Sequence, residues 1–269
     1  MPKIIVKDFN LEYTLLCGQL FRVKRIKDWY YVVVRDHIFR VRQLSASQLE
    51  FYGVDKEFLA YYFALDEPYR NILAQIAKDQ HIRRAIKKYH GLRIIRQDPW
   101  ECLISFICSS AANIPKIKLN LDLLARFFGK KIEFNGFEWF SFPEPGGLSD
   151  YEKISLSKTG FRAKYIKDAN DLVSESFLKS LKKLPYLEAK KSLKQIPGVG
   201  DKVADCVLLF SLDFTEAFPV DTWIKKVLQK IYFKNQRVSS KQLQDFAVNY
   251  FGRYAGYAQQ FLYMTAREI

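Results

Sequence analysis

The chain has 269 residues, of which 49% are hydrophobic, so it can bury a sizeable core and is not a disordered protein. Its 43 Lys and Arg outnumber its 29 Asp and Glu, and the formal net charge of +14 predicts a surface that attracts nucleic acid or, as the competing partner, an anionic membrane. Cys102–Pro115, the longest stretch without a charge, is too short to cross a bilayer, and Met1–Asn10 has no secretory apolar run. We therefore expect a soluble protein with no membrane partner.

The chain also contains four cysteines and three histidines, namely Cys17, Cys102, Cys108, Cys206, His37, His81 and His90. The cysteines are scattered and form no CxxC pair, which is typical of reduced thiols in a cytosolic or nuclear protein. The histidines show no metal-ligand spacing. We expect no metal or other cofactor, and a cytoplasmic location that is nucleoid-associated if the host is bacterial.

From Lys3 to about Gln43 the sequence is rich in Val, Ile, Tyr and Phe and alternates in polarity, which predicts an antiparallel sheet with turns near Lys27-Asp28 and Arg35-Asp36. From about Glu57 onward the apolar period is helical. The predicted helices span residues 57–64, 67–78, 80–89, 98–110, 113–128, 163–175, 185–195, 201–212, 222–233, 239–251 and 255–267. A Gly- and Pro-containing stretch, Lys131–Asp150, is predicted to be a loop.

These elements predict an α+β fold. An N-terminal antiparallel sheet domain with flanking helices is expected over residues 1–90, and a mostly helical domain over residues 91–269. A hairpin of two helices is expected at 185–212, within the second domain. No repeat or low-complexity tract divides the chain further.

The turn of that hairpin, Ile196–Lys202, contains Pro197, Gly198, Val199 and Gly200. Two glycines directly before a helix let the backbone approach an anion while the first N–H groups of the helix point at it. Such a turn can hold a DNA phosphate without reading sequence. By itself the pattern is equally compatible with an ordinary connector between helices.

Lys202 falls in the first turn of the following helix, where the helix dipole disfavours an ammonium and so favours a nucleophilic amine. Asp221 precedes the amphipathic run Thr222–Phe233 and is predicted to be its N-cap. The helix at 201–212 rises roughly 18 Å, and the link Asp213–Val220 can extend about 26 Å. Asp221 can therefore lie beside Lys202 and stabilise a cationic sugar. Alternatively, the lysine is a surface or phosphate-binding residue and the aspartate only a cap.

Cys206 lies one helical turn after Lys202 on the same face, and Gln259 and Tyr263 share a face of a later helix. Each of them could line a pocket. Without further information, a core cysteine, a surface amide and a core aromatic are the simpler descriptions. Gly18 by itself is a turn glycine.

The Ile196–Lys202 hairpin followed by Pro219-Val220-Asp221 resembles the helix-hairpin-helix, Gly/Pro-Asp superfamily of DNA glycosylases, and in particular the eukaryotic-type 8-oxoguanine DNA glycosylase family. Further segments resemble that family in the same order along nearly the whole chain. They are Cys17–Arg22, Gly91–Ser110, Gly160–Tyr165 and Tyr254–Gln259.

The resemblance implies a TBP-like sheet domain followed by the helical glycosylase domain, duplex DNA containing 8-oxoguanine as partner, and a monomer. It implies that the lesion is flipped into a pocket. There, Lys202 attacks C1′ to form a Schiff base that leads to strand cleavage, and Asp221 supports the charge. The Gly18 carbonyl accepts the N7–H of 8-oxoguanine, Cys206 and Tyr263 sandwich the base, and Gln259 binds its Watson–Crick edge.

The implied DNA contacts are Gly198, Val199, Gly200, Ala111, Asn113, Lys116, Phe161 and Arg162. Three of them depart from the family pattern. Ala111 replaces an Asn and Lys116 replaces an Arg at positions that contact the orphaned cytosine, and Phe161 replaces a wedging Tyr. Because Ala has no amide and Lys lacks the planar fork of Arg, we expect a relaxed opposite-base preference. Trp223 replaces a phosphate-contacting His, and Tyr263 a Phe.

Three other interpretations remain open. A superfamily glycosylase for another damaged base is possible, although alkylation-repair types lack the hairpin lysine and several others carry C-terminal cysteines for an iron–sulfur cluster. A helix-hairpin-helix module that only binds DNA would need no Lys202–Asp221 pair. A basic protein for RNA or membrane ranks last, because it leaves the spacing to Pro219-Val220-Asp221 unexplained.

Overall fold

A five-stranded antiparallel sheet opens the computed structural model, which describes residues 1–266. Its strands are β1 (Lys3–Ile5), β2 (Val23–Ile26), β3 (Trp29–Val34), β4 (His37–Ser45) and β5 (Gln48–Tyr52), in the order β1-β5-β4-β3-β2. Ile26 pairs with Trp29 and Val34 with His37, so both predicted turns are confirmed. The sheet continues through β5, beyond its predicted end.

Helices form most of the remaining chain, which confirms the α+β class. They are α1 (Leu11–Leu16), α2 (Lys56–Tyr62), α3 (Tyr69–Ile76), α4 (Gln80–Lys88), α5 (Pro99–Cys108), α6 (Ile114–Phe128), α7 (Tyr151–Ile154), α8 (Arg162–Leu172), α9 (Glu175–Leu181), α10 (Tyr186–Leu193), α11 (Asp201–Ser211), α12 (Thr222–Tyr232), α13 (Ser240–Phe251) and α14 (Ala255–Ala266). Every predicted helix is found within a few residues of its expected bounds. The predicted end of the last one, residue 267, lies outside the described residues.

Three short helices, α1, α7 and α9, were not predicted, because a helix of one or two turns gives too little apolar periodicity. The predicted loop Lys131–Asp150 is partly wrong as well. It contains a second antiparallel hairpin, β6 (Lys131–Phe134) and β7 (Phe137–Phe140). Trp139 of β7 stacks on Tyr31 of the large sheet with ring centroids 5.2 Å apart, so this short hairpin is stabilised by tertiary contact.

Two main hydrophobic clusters share the interior. One lies between the sheet and α1 and α2, and the other fills the helical bundle. Helices α3 and α4, expected with the sheet domain, contribute Tyr69, Ile72, Ile82 and Ala85 to the bundle cluster. By packing they belong to the helical part. Core packing therefore does not favour the predicted domain boundary at residue 90, which stays a prediction.

Within residues 1–266, no helix is both long enough and apolar enough to cross a membrane.

Candidate active site

The predicted hairpin is formed by α10, the turn Ile196–Gly200 and α11. Gly198 has φ +82°, and a Cβ at this position would lie 2.5 Å from Cγ of Tyr165, so the turn requires glycine here. Gly200 is the N-cap of α11 and lacks a capping side chain, and space is open around it. Since the first N–H groups of a helix have no intrahelical acceptor, this terminus presents donors to an anion.

Lys202 extends from the first turn of α11 and is half-buried. Its Nζ donates to Oγ of Ser109, 2.8 Å away, and lies 4.7 Å from the centre of the Phe106 ring. The Ser109 hydroxyl donates in turn to the carbonyl of Phe106 at 2.7 Å. The Ser109 oxygen therefore accepts a hydrogen bond from the amine. This bond holds the lysine side chain at a defined position, so that it does not extend into solvent.

Asp221 is the N-cap of α12, as predicted, and its Oδ1 accepts from the Ile224 N–H at 2.8 Å. Burial raises the pKa of its carboxyl, while the Ile224 hydrogen bond and the charge of Lys202 lower it. Within residues 1–266, no ion pair joins Lys202 to Asp221, although both residues line one cavity and the charge of Lys202 acts on the carboxyl. They interact electrostatically across a shared space.

That space is a cavity of about 820 Å³ enclosed by the Cys17-Gly18 turn, the end of α5, the start of α6, α11, the start of α12 and α14. Among its lining residues are Gly18, Ala111, Asn113, Lys202, Cys206, Asp221, Trp223, Gln259 and Tyr263. The structure thus brings together both predicted catalytic residues and all four predicted base-binding residues. Segments more than 200 positions apart in sequence form this one site.

Three of the predicted base-binding residues have well-defined surroundings. A Cβ on Gly18 would lie 3.0 Å from Cε1 of Tyr263, so these two residues are in close contact. Nε2 of Gln259 donates to the Pro219 carbonyl at 3.3 Å, whereas its buried Oε1 finds no partner within residues 1–266. An unpaired buried acceptor at a cavity wall is costly unless a ligand satisfies it.

Cys206 is almost completely buried beside the lysine. Burial raises the pKa of its thiol to about 12, against the opposing effect of the Lys202 charge. The thiol is therefore protonated at neutral pH and presents an apolar, polarisable surface to the cavity.

The residues expected to contact DNA opposite the lesion differ in exposure and in their hydrogen bonds. Ala111 has φ +50°, and the Asn113 side chain caps α6 by accepting from the Lys116 N–H at 3.0 Å. Phe161 is 62% exposed, which suits a wedge. Arg162 is buried under it, with its guanidinium 4.4 Å from the Phe161 ring centre.

The guanidinium of Arg162 is occupied by main-chain carbonyls. Its Nε and Nη2 donate to Ser110, its Nη2 also to Ala111 at 3.0 Å, and its Nη1 to Thr159 at 3.1 Å. These bonds fix the turn that follows Ser109. The DNA contacts expected of Arg162, Asn113 and Lys116 stay predictions. The Arg162 side chain binds main-chain carbonyls, and the Asn113 side chain caps α6 by accepting from the Lys116 N–H.

In the part of the chain covered by residues 1–266, no group of three or more His, Cys, Asp or Glu side chains comes together in a way that could hold a metal ion.

Comparison with known proteins identifies the family. Residues 3–103 match the family model described as the N-terminal domain of 8-oxoguanine DNA glycosylase. The N-glycosylase/DNA lyase OGG1 of Arabidopsis thaliana is 30% identical over 98% of this chain and 79% of its own length. This chain belongs to the 8-oxoguanine DNA glycosylase family. Its fold class and its predicted membership of the helix-hairpin-helix superfamily are confirmed.

Two further known proteins are similar to this chain, one compared by sequence and one by structure. A probable N-glycosylase/DNA lyase of Methanothermobacter thermautotrophicus is 29% identical over 71% of this chain and 68% of that protein. A crystal structure of the Clostridium acetobutylicum 8-oxoguanine glycosylase/lyase, bound to duplex DNA with cytosine opposite 8-oxoG, is 33% identical. It has a TM-score of 0.92 and covers 100% of this chain and 98% of that one.

Three features of this candidate site were not predicted from the sequence. Ser109, the acceptor of the Lys202 amine, lies 93 positions before it. Gln260 binds the Cys17 carbonyl across 243 positions. Neither has a local signal, because a serine after a helix and a glutamine within one are common. The third feature is the set of hydrogen bonds from buried Arg162 to main-chain carbonyls, which has no local signal either.

Proposed function

We propose that this protein binds duplex DNA as a monomer in the cytoplasm, turns 8-oxoguanine out of the helix into the cavity, and excises it as a bifunctional glycosylase and lyase. One observation carries the proposal: an amine held at a fixed position and a partly buried carboxylate line the same cavity, whose wall also presents unpaired acceptors. The proposal agrees with the family to which the chain belongs.

Recognition of the base would use the cavity wall. No hydrogen bond from residues 1–266 reaches the Gly18 carbonyl, so it can accept the N7–H that 8-oxoguanine has and guanine lacks. The unpaired Oε1 of Gln259 can accept N–H groups of the Watson–Crick edge. Cys206 and Tyr263 would pack on the faces of the everted ring.

Excision would begin with attack of the unprotonated Lys202 amine on C1′. The bond from C1′ to the base nitrogen breaks, its electron pair leaves with the base, and the base takes up a proton. Asp221, as a carboxylate, stabilises the positive charge that develops on the sugar. The amine adduct passes an N–H proton to O4′ as the C1′–O4′ bond breaks with its electrons on oxygen, so the sugar ring opens to the protonated imine. Loss of a C2′ proton then expels the 3′ phosphate with the C3′–O electrons. Strand cleavage follows from this elimination.

Binding of undamaged backbone would depend on the hairpin. The N–H groups at the start of α11, Val199 and the two glycines would hold a phosphate, and the net positive charge would supply the long-range attraction. Opposite the lesion, Ala111 and Lys116 would give a relaxed preference among the four bases.

Borohydride trapping on a duplex with 8-oxoguanine tests the proposal. The native protein should form a covalent complex, whereas Lys202→Gln should form none and still bind the duplex. Lys179→Gln is the matched control, because that exposed lysine pairs with Glu175, does not line the cavity and should trap as the native protein does. Binding without any trapping by the native protein would refute the enzymatic proposal and leave a DNA-binding module.

A further inference from the structure

A buried glutamine fixes one side of the Gly18 turn. Gln260 of α14 is 2% exposed, and its Nε2 donates to the Cys17 carbonyl at 2.8 Å. This bond holds the peptide that joins Cys17 to Gly18. It also ties the turn from the sheet domain to the helix that carries Gln259 and Tyr263.

Two other glutamines fix the opposite side. Gln19 is fully buried; its Nε2 donates to the Thr14 and Arg93 carbonyls, both at 2.8 Å, and its Oε1 accepts from the Ile95 N–H at 3.0 Å. Its own carbonyl accepts from Nε2 of Gln97 at 2.7 Å. The residues before and after Gly18 are therefore both anchored by amide side chains.

Gly18 itself needs this support. Its φ is +87°, a conformation that strains any other residue, and a Cβ here would lie 3.0 Å from Cε1 of Tyr263, so the position favours glycine. Glycine is also the residue whose peptide rotates most easily. A carbonyl on an unrestrained glycine would change direction at little cost, and a hydrogen bond weakens steeply once its angle departs from linear.

We propose that Gln260 is a specificity-determining positioning residue, which holds the Gly18 carbonyl in the direction that reads N7 of the everted purine. The inference rests on the proposed function. At that atom 8-oxoguanine donates and guanine accepts, so a carbonyl in a fixed direction binds the first base and repels the second. Discrimination then depends on how firmly the turn is held, and Gln260 joins the turn to the helix that forms the other wall.

The test compares binding to three duplexes, which contain 8-oxoguanine, guanine or a tetrahydrofuran abasic analogue, in a Lys202→Gln background that does not turn over. Gln260→Met keeps the side-chain length and removes the donor. We expect its preference for 8-oxoguanine over guanine to fall roughly 3- to 10-fold, the value of one misplaced hydrogen bond. Affinity for the abasic analogue should stay unchanged, because no base enters the cavity.

Two further variants separate positioning from a general structural role. Gln260→Glu cannot donate once its carboxyl is ionised, whereas the protonated form, which burial favours by raising the pKa, can again donate to Cys17. Its preference should recover as the pH is lowered, unlike that of Gln260→Met. Gln229→Met is the control, because it removes an amide-to-carbonyl bond to Val238, at 3.3 Å, outside the cavity wall. It should leave the preference unaltered.

Each outcome has one meaning. If Gln260→Met weakens binding of all three duplexes equally, or retains the native preference, the positioning role is overturned and the proposed function stands. If the parent Lys202→Gln protein binds 8-oxoguanine and guanine duplexes equally, the proposed base recognition itself fails. A loss confined to the 8-oxoguanine duplex, with recovery of Gln260→Glu at low pH, supports the inference.

Discussion

The two glycines of the hairpin should respond to substitution in opposite ways. At Gly198 an alanine must adopt φ near +82°, which costs roughly 1–2 kcal/mol, and its Cβ would meet the Tyr165 side chain at 2.5–2.9 Å. Overpacking of this kind costs about 1–3 kcal/mol more. The free energy of unfolding of Gly198→Ala should therefore fall by about 2–5 kcal/mol, which corresponds to a decrease of roughly 5–15 °C in Tm.

At Gly200 the backbone has φ −91° and ψ −175°, an extended conformation that any residue adopts, and nothing lies within 4 Å of the place that a Cβ would occupy. A serine here can cap α11, which gains a few tenths of a kcal/mol over glycine. It also removes about 0.4–1 kcal/mol of unfolded-chain entropy. Gly200→Ser should be slightly more stable than the native protein.

The same serine should weaken DNA binding. Its hydroxyl would accept from the first-turn N–H groups of α11 that are proposed to bind phosphate, so affinity for undamaged duplex should drop about tenfold, the value of a hydrogen bond to a charged group. Fluorescence anisotropy measures this drop, and urea denaturation measures stability. The slope of log affinity against log salt should not change, because no charge is altered. Native affinity in Gly200→Ser would refute the assignment of the hairpin as a phosphate site.

Four further results are expected. Asp221→Asn keeps a good N-cap, so its Tm should stay within a few degrees of native while single-turnover excision falls about 10²–10³-fold; equal losses of stability and activity would contradict a catalytic role. Because burial raises the pKa of Asp221, the carboxylate is lost on acidification at a higher pH than for an ordinary Asp, and the acid limb of the native rate profile should lie correspondingly higher. Ser109→Ala removes the acceptor that holds Lys202 and should slow excision roughly tenfold at nearly native DNA affinity; an unchanged rate would show that the amine needs no such support. Since Ala111 and Lys116 replace an amide and a guanidinium, excision opposite the four bases should vary by less than about tenfold, and a strong preference for cytosine would disprove this expectation.

Features encoded by neighbouring residues could be predicted from the sequence. The alternation along β2 to β4, the long helices, the glycine hairpin and the cap at Asp221 all follow from local backbone preference and from which side of an element is buried. The family resemblance supplied the four predicted base-binding residues, and all four line the cavity. Short elements such as α9 and the β6–β7 hairpin were not predicted, because they contain too few residues to show a periodic pattern of apolar side chains.

The partners of these residues were decided only by the tertiary structure. Ser109 meets Lys202, Arg162 supports the turn after Ser109, and Gln260 reaches Cys17 from the far end of the chain. A sequence pattern shows which backbone conformation a residue favours and whether that residue is buried. A hydrogen bond between distant segments depends instead on where packing brings their atoms. The family and the candidate site residues could therefore be predicted from the motifs, while the positions of the Lys202 amine and the Gly18 carbonyl are set by the packed fold.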